Sequence, residues 1–180
     1  MFETYYSTKL RGWRNLNTKK IVLISLFIAL SAVLSNIKIF YSIAFDSMPA
    51  FLAAMMISPI AGGVVGALGH LLTALTSGFP FTVPVHLFIA IQMLVIVWIY
   101  GVLCKKLNQY IAMLVAIILN GPVATLLSGL LITFLNHSFS VKTVSSFFML
   151  MVIPLTLASA VNIVLAFILQ KVMKRANIKI

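Results

Sequence analysis

Long apolar runs separated by short polar or turn-forming stretches dominate the pattern along the chain. The first covers about residues 21–35 and follows Lys19 and Lys20. A second, 47–76, is interrupted by Ser58-Pro59-Ile60-Ala61-Gly62-Gly63, and three more occupy about 84–103, 111–135 and 147–169. A helix of roughly 20 apolar residues crosses about 30 Å of hydrocarbon, so these runs read as membrane spans. Pro and Gly at 58–63 stop one helix and start the next. They divide the second run into a short second helix, about 48–57, and a third. At about 1.5 Å per residue so short a helix cannot span alone; it must begin before Asp46 or be shielded by its neighbours. The pattern predicts an all-α membrane protein with six transmembrane helices. A signal peptide competes for the first run, because a basic region precedes an apolar one. The long basic tail and the lack of an Ala-x-Ala site favour an uncleaved helix.

Charge sets the direction of the spans. The chain of 180 residues carries 13 Lys plus Arg against 2 Asp plus Glu, a net charge of +11, yet only 8% of it is charged and 62% is hydrophobic. Soluble domains are about a quarter charged, and disordered chains are poor in apolar residues, so both classes are excluded. Phosphate attraction is the first reading of such a basic protein, but in a membrane protein basic residues mark the cytoplasmic side. With six spans, Lys9, Arg11, Arg14, Lys19, Lys20, Lys105, Lys106, Lys171, Lys174, Arg175 and Lys179 share one side, and only Lys38 and Lys142 face the other. Five spans would divide the bases almost evenly. The count favours six spans with cytoplasmic N- and C-termini and no nucleic-acid partner. The expected layout is a basic tail over 1–19, a transmembrane domain over 20–172 and a basic tail over 173–180.

The chemistry the chain lacks is equally informative. Glu3 and Asp46 are its two carboxylates, too few for an acidic magnesium site or for a buried proton relay. There is no His-Glu-x-x-His metal motif and no phosphate-binding loop. Cys104 has no partner for an internal disulfide and reads as a small apolar residue. No catalytic residue, metal or cofactor is expected.

Polar side chains inside the runs call for an explanation, because they are costly in lipid. His70 lies midway along the third span. His86 opens the fourth, with Gln92 about 9 Å deeper. Asn120 begins the Asn120-Gly121-Pro122 kink of the fifth, with Thr125 and Ser128 further along. Thr156, Ser159 and Asn162 lie in the sixth. Hydrogen bonding between helices is the plain reading for most of them, and for Asn162, placed nearer the cytoplasm, it is preferred. For His86 and Gln92, which descend from one loop mouth, substrate binding weighs equally. That loop, Thr76-Ser77-Gly78-Phe79-Pro80-Phe81-Thr82-Val83-Pro84, is uncharged, aromatic and stiffened by proline. It reads as a lid over a pocket or as a loop folded into the bilayer interface. A lid with few charges around it suits an uncharged ring-containing solute, since an anion would call for an arginine clamp. Gly62, Gly66, Gly69 and Thr73 share one face of the third span, and Ser25, Ala29 and Ala32 form a small-residue stripe on the first. Such faces let helices approach closely.

The stretch Gly66-Ala67-Leu68-Gly69-His70-Leu71-Leu72-Thr73-Ala74-Leu75-Thr76-Ser77-Gly78-Phe79-Pro80, continued by Val83-Pro84-Val85-His86 and preceded by Asp46-Ser47-Met48-Pro49-Ala50, resembles the substrate-binding S component of an energy-coupling factor (ECF) transporter. The resemblance covers nearly the whole chain. It implies a multi-pass cell-membrane protein, not an enzyme, that captures a vitamin or vitamin precursor in its outer half and works with a transmembrane coupling subunit and two ATPase subunits. It places Phe79, His86, Gln92, Asn120 and Ser159 at the substrate, and the Ser25, Ala29 and Ala32 stripe against the coupling subunit. There the family's Ala-x-x-x-Ala pattern is replaced by Ser25-x-x-x-Ala29 followed by Val33. The Gly-His-Leu-Leu-Thr-Ala-Leu-Thr-Ser-Gly-Phe-Pro stretch resembles members proposed to import alpha-ribazole, a neutral nucleoside, with riboflavin or another vitamin precursor as alternatives. Two other classes remain open: a membrane scaffold without a small-molecule ligand, and an intramembrane enzyme using Ser77 with His70 or His86.

Overall fold

The computed structural model describes residues 18–40, 43–137 and 140–178, with backbone alone at 38–40 and 43–44. Among the described residues six helices follow one another: α1 (Thr18–Leu34), α2 (Met48–Met56), α3 (Pro59–Thr76), α4 (Val83–Lys106), α5 (Gln109–Leu135) and α6 (Val141–Arg175). Of these, α3, α4, α5 and α6 are long and apolar enough to cross a membrane. The expected all-α architecture is present. A small antiparallel ribbon, β1 (Lys38–Phe40) and β2 (Ile43–Ala44), stands between α1 and α2.

Local chemistry sets the helix ends. The Asn36 side chain donates to the carbonyls of Ala32 and Val33, both at 3.1 Å, and the Ser35 hydroxyl donates to Ala32 O at 2.7 Å, which occupies the open carbonyls at the end of α1. At the α2–α3 turn Ser58 is extended, its Oγ accepts from the Ala61 N–H at 3.1 Å, and Pro59 opens α3. The apolar run predicts α6 over 147–169, but Ser140 and Thr143 form a capping box that starts the helix at Val141. At the far end of α6 the chain stays helical through Lys171, Lys174 and Arg175, where cations complement the helix dipole. Lys171 Nζ lies 4.6 Å from the centre of the Phe167 ring.

The short α2 is the centre of the bundle. Met48 through Ala54 are all buried, within a core that includes Phe27 of α1, Val65 of α3, Val97 and Tyr100 of α4 and Ile163 of α6. Phe51 meets Tyr100 edge-on at 5.2 Å, and the Tyr100 hydroxyl donates to Met55 Sδ at 3.1 Å. Of the two ways to accommodate a nine-residue helix, the structure shows shielding by its neighbours. The small-residue face of α3 makes this close fit. A methyl group on Gly69 would stand 2.8 Å from Ser31 Cβ of α1, and one on Gly62 would lie on the backbone of Ala54.

In α5 the predicted kink is a π-helical turn, Leu119–Val123, between α-helical stretches Gln109–Ile118 and Ala124–Leu135. Pro122 has no N–H to offer the ladder, and π turns absorb such breaks. Five of the bases gather at one end of the bundle: Lys105 and Lys106 close α4, and Lys171, Lys174 and Arg175 close α6. Gly101 of α4 meets Pro59 at the start of α3 on that same end.

Candidate functional site

A cavity of about 110 Å³ lies between α4, α5, α6 and the loop ahead of α2. Four groups of residues build it. Ile89, Met93, Met151 and Leu155 supply apolar wall, Phe81 and Phe147 supply aromatic rings, Gln92, Asn120, Ser128, Ser159 and Asn162 supply neutral polar groups, and Asp46 and His70 supply titratable ones.

The π turn of α5 carries Asn120 at the cavity, and its Nδ2 donates to Ser159 Oγ of α6 at 2.8 Å. From α4, the Gln92 carbonyl oxygen accepts from Ser128 Oγ at 3.4 Å, while its Nε2 has no partner among the described residues. Gln92 is buried and lines the cavity, and a buried donor left unmet is costly. Asn162 serves the fold: its Oδ1 accepts the N–H of Met48 at 2.9 Å, capping α2 from α6, and its Nδ2 donates to Ala158 O.

Above these groups the α3–α4 loop makes an aromatic layer. Gly78 has φ +73, and the N–H of Phe79 bonds back to Ala74 O while that of Gly78 bonds to Leu75 O, a Schellman closure of α3. Phe79 packs edge-on to His86 at 5.6 Å, and Phe81 lies at 6.3 Å from His86 and at 5.8 Å, edge-on, from Phe147 of α6. Beneath them His70 Nε2 and His86 Nδ1 are 3.2 Å apart with the rings stacked. The fully buried His86 keeps Nε2 without a partner among the described residues.

Asp46, in the loop ahead of α2, accepts the Thr73 hydroxyl at Oδ2 at 2.6 Å. Burial pushes its carboxyl up to about 6, against the opposing pull of the Thr73 hydroxyl and the Asp46 and Ser47 N–H groups. No cluster of His, Cys, Asp or Glu fit for a metal ion occurs among the described residues.

Of the residues named from sequence, Gln92, Asn120 and Ser159 line the cavity together. His86 and Phe79 stand one layer behind, packed on each other, and His86 also packs on Phe81. Ser25 and Ala29 are exposed and Ala32 is half-buried, on the far side of α1 from its buried Phe27 and Ser31. Asp46, His70, Phe81, Ser128 and Phe147 are cavity residues that the sequence reading did not assign to the substrate, and Asn162 lines the cavity as well as capping α2. For Asp46 the signal was its rarity as one of two acids. For Phe147 there was none, because its place at the cavity depends on how α6 leans on α5. The Ser77 Oγ has no hydrogen-bond partner among the described residues, and His70 is paired with His86, so no serine–histidine pair is built here.

Fold and cavity together describe a polytopic membrane protein with a partly polar cavity between its helices. The family model described as "ECF transporter, substrate-specific component" matches residues 19–173. The chain belongs to that family: it is a substrate-specific subunit of a transporter, and it is an integral, multi-pass membrane protein of the cell membrane. No curated protein and no solved structure matches it.

Proposed function

We propose that the chain captures a vitamin or vitamin precursor at the outer face of the membrane, as the S component of an ATP-driven ECF-type importer. In this reading six helices cross the bilayer, both termini are cytoplasmic, the basic segments 1–19 and 173–180 flank a transmembrane domain over 20–172, and the cavity faces outward. The observation that carries it is the cavity itself. Polar groups from four helices converge on an otherwise apolar space, with the Gln92 amide donors unspent, which is the pattern of a small-solute site. The position of the cavity supports an outward orientation, since it lies away from the basic ends of α4 and α6. Phe81 and Phe147 give flat faces for a ring, which favours a substrate of the alpha-ribazole type over one without an aromatic system, with riboflavin the next candidate. Energy comes from two ATPase subunits through a coupling subunit, which meets the Ser25, Ala29 and Ala32 stripe of α1.

The test is direct. The purified chain, without ATPases, is titrated with alpha-ribazole, riboflavin and a panel of other vitamins and nucleosides, and its co-purifying proteins are identified. Tight binding of one ring-containing solute and recovery of a coupling subunit with two ATPases are expected. No binding across the panel, together with a stable partner other than these subunits, would replace the reading with that of a membrane scaffold.

A further inference from the structure

Asp46 stands out within the cavity because no cation among the described side chains pairs with it. Among the described residues its side chain bonds to the Thr73 hydroxyl and to backbone N–H groups, and no lysine or arginine pairs with it. The described side chains packed around it are equally short of positive charge. From α3 comes His70, whose Nε2 faces His86 of α4. From α6 come the neutral Ser159 and Asn162, and from α1 the neutral Ser31. Lys142 is exposed at the start of α6. The cations on α4 and α6 close those helices at the other end of the bundle.

An uncompensated carboxylate at the wall of an apolar cavity is costly. A carboxylate has about four acceptor sites, more than a hydroxyl and two backbone donors consume. Among the described residues the wall offers no arginine or lysine, so a carboxylate or phosphate on the solute would meet Asp46 with no cation to offset the repulsion. A solute bringing its own proton-binding nitrogen has the opposite effect. One proton shared between the nitrogen and the carboxyl satisfies both, whichever of them holds it.

We propose that Asp46 determines the specificity of this site by pairing with a protonatable nitrogen of the substrate, so that the cavity takes weakly basic aromatic solutes and rejects anions. This rests on the substrate-capture reading above and narrows it. The ring lies against Phe81 and Phe147, its basic nitrogen reaches Asp46, and the unspent Gln92 donors meet an acceptor elsewhere on the solute.

Matched probes test this. Affinities of the full-length protein in lipid nanodiscs are measured for benzimidazole and indole, and for their ribonucleosides, each pair differing in one ring nitrogen. The 5′-phosphate of the benzimidazole ribonucleoside serves as the anionic probe. A charge-assisted hydrogen bond predicts that the basic member of a pair binds roughly ten- to a hundredfold more tightly, and that the phosphate binds more weakly than its parent. In Asp46→Asn, which keeps the side-chain shape, the gap within each pair should close to within about threefold, with an unchanged size-exclusion profile showing that the variant is folded. Equal affinity within the pairs, a gap that persists in Asp46→Asn, or failure of every basic probe to bind would each overturn the proposal. Co-purification of the wild-type chain with a coupling subunit and two ATPases judges the S-component reading separately. If that assembly forms while base discrimination fails, only the assignment of Asp46 falls.

Discussion

Gln92 and Asn162 are both buried amides at the cavity wall, but their bonding gives them different work. Gln92 spends its oxygen on Ser128 and leaves Nε2 free, whereas Asn162 spends both ends on backbone, capping α2 and bonding its own helix. Gln92→Ala should therefore weaken substrate binding by about tenfold, the worth of one buried hydrogen bond, with a small effect on the thermal midpoint. Asn120→Ala should do the same by removing the bond to Ser159 and the cavity-facing amide. Asn162→Ala should weaken binding less and instead lower stability by about 1–2 kcal/mol, as loss of a helix cap does. Calorimetric titration beside thermal unfolding separates the three, and equal losses of affinity would contradict this division. Asp46 makes a pH prediction whose sign is fixed. An ordinary aspartate takes up its proton near 3.8, the folded Asp46 near 6. Between these values the folded chain holds a proton that the unfolded chain lacks, so this group favours folding below about pH 4 and loses that contribution as pH rises through 6. The thermal midpoint of the wild type, measured relative to that of Asp46→Asn, should fall between pH 4.5 and pH 7. A constant difference would show that Asp46 titrates normally.

The π turn of α5 ties an element's geometry to the site. Gly121 lies so close to α6 that a methyl group there would stand 2.6 Å from Thr156 Oγ1 and 2.9 Å from Thr156 Cα. Gly121→Ala should push α5 off α6, cost about 1–3 kcal/mol of stability and weaken substrate binding through the displaced Asn120. Thermal unfolding and a binding titration of the same preparation check both effects, and wild-type values for both would show that the close approach is not required. Much at this scale is legible in the sequence. Asn120-Gly121-Pro122 announces a break in a helix, and Ser58-Pro59 announces a start, because these residues act through their own backbone. The π form of the break is not legible, since it depends on α6 pressing against Gly121. The extra length of α6 was written in Ser140 and Thr143, outside the apolar run that drew attention. In the site, Gln92 could be picked out as a polar residue below a loop mouth, and the family resemblance placed Asn120 and Ser159 with it. Asp46 and Phe147 could not be placed, because the fold alone brings a loop and the start of α6 to one cavity.

At the scale of the whole molecule, the proposed substrate site and the proposed coupling face occupy separate surfaces. The cavity is enclosed by α4, α5, α6 and the loop before α2, while α1 contributes Phe27 and Ser31 to the interior and turns Ser25, Leu26, Ala29 and Val33 outward. Leu26 is 59% and Val33 65% exposed, so this face needs either lipid or another helix against it. Small side chains at Ser25 and Ala29 make it a surface that a second backbone can approach closely. Helical spacing sets Ala29 between Leu26 and Val33 on this face, and a leucine at position 29 would fill the space between them. Because Ala29 points away from the core, Ala29→Leu creates no clash inside the protein and leaves Gln92, Asn120 and Ser159 where they are. The expected result is unchanged substrate affinity in the isolated chain, with uptake by cells or by reconstituted vesicles reduced by tenfold or more and less coupling subunit recovered on purification. Interior α1 positions behave differently: Ser31→Leu would strike α3 at Gly69, where even a methyl group on the glycine would lie 2.8 Å from Ser31 Cβ, and should lower stability and binding together. Loss of substrate affinity in Ala29→Leu would show that α1 belongs to the site, and full uptake with normal recovery of the coupling subunit would place the docking face elsewhere on the bundle.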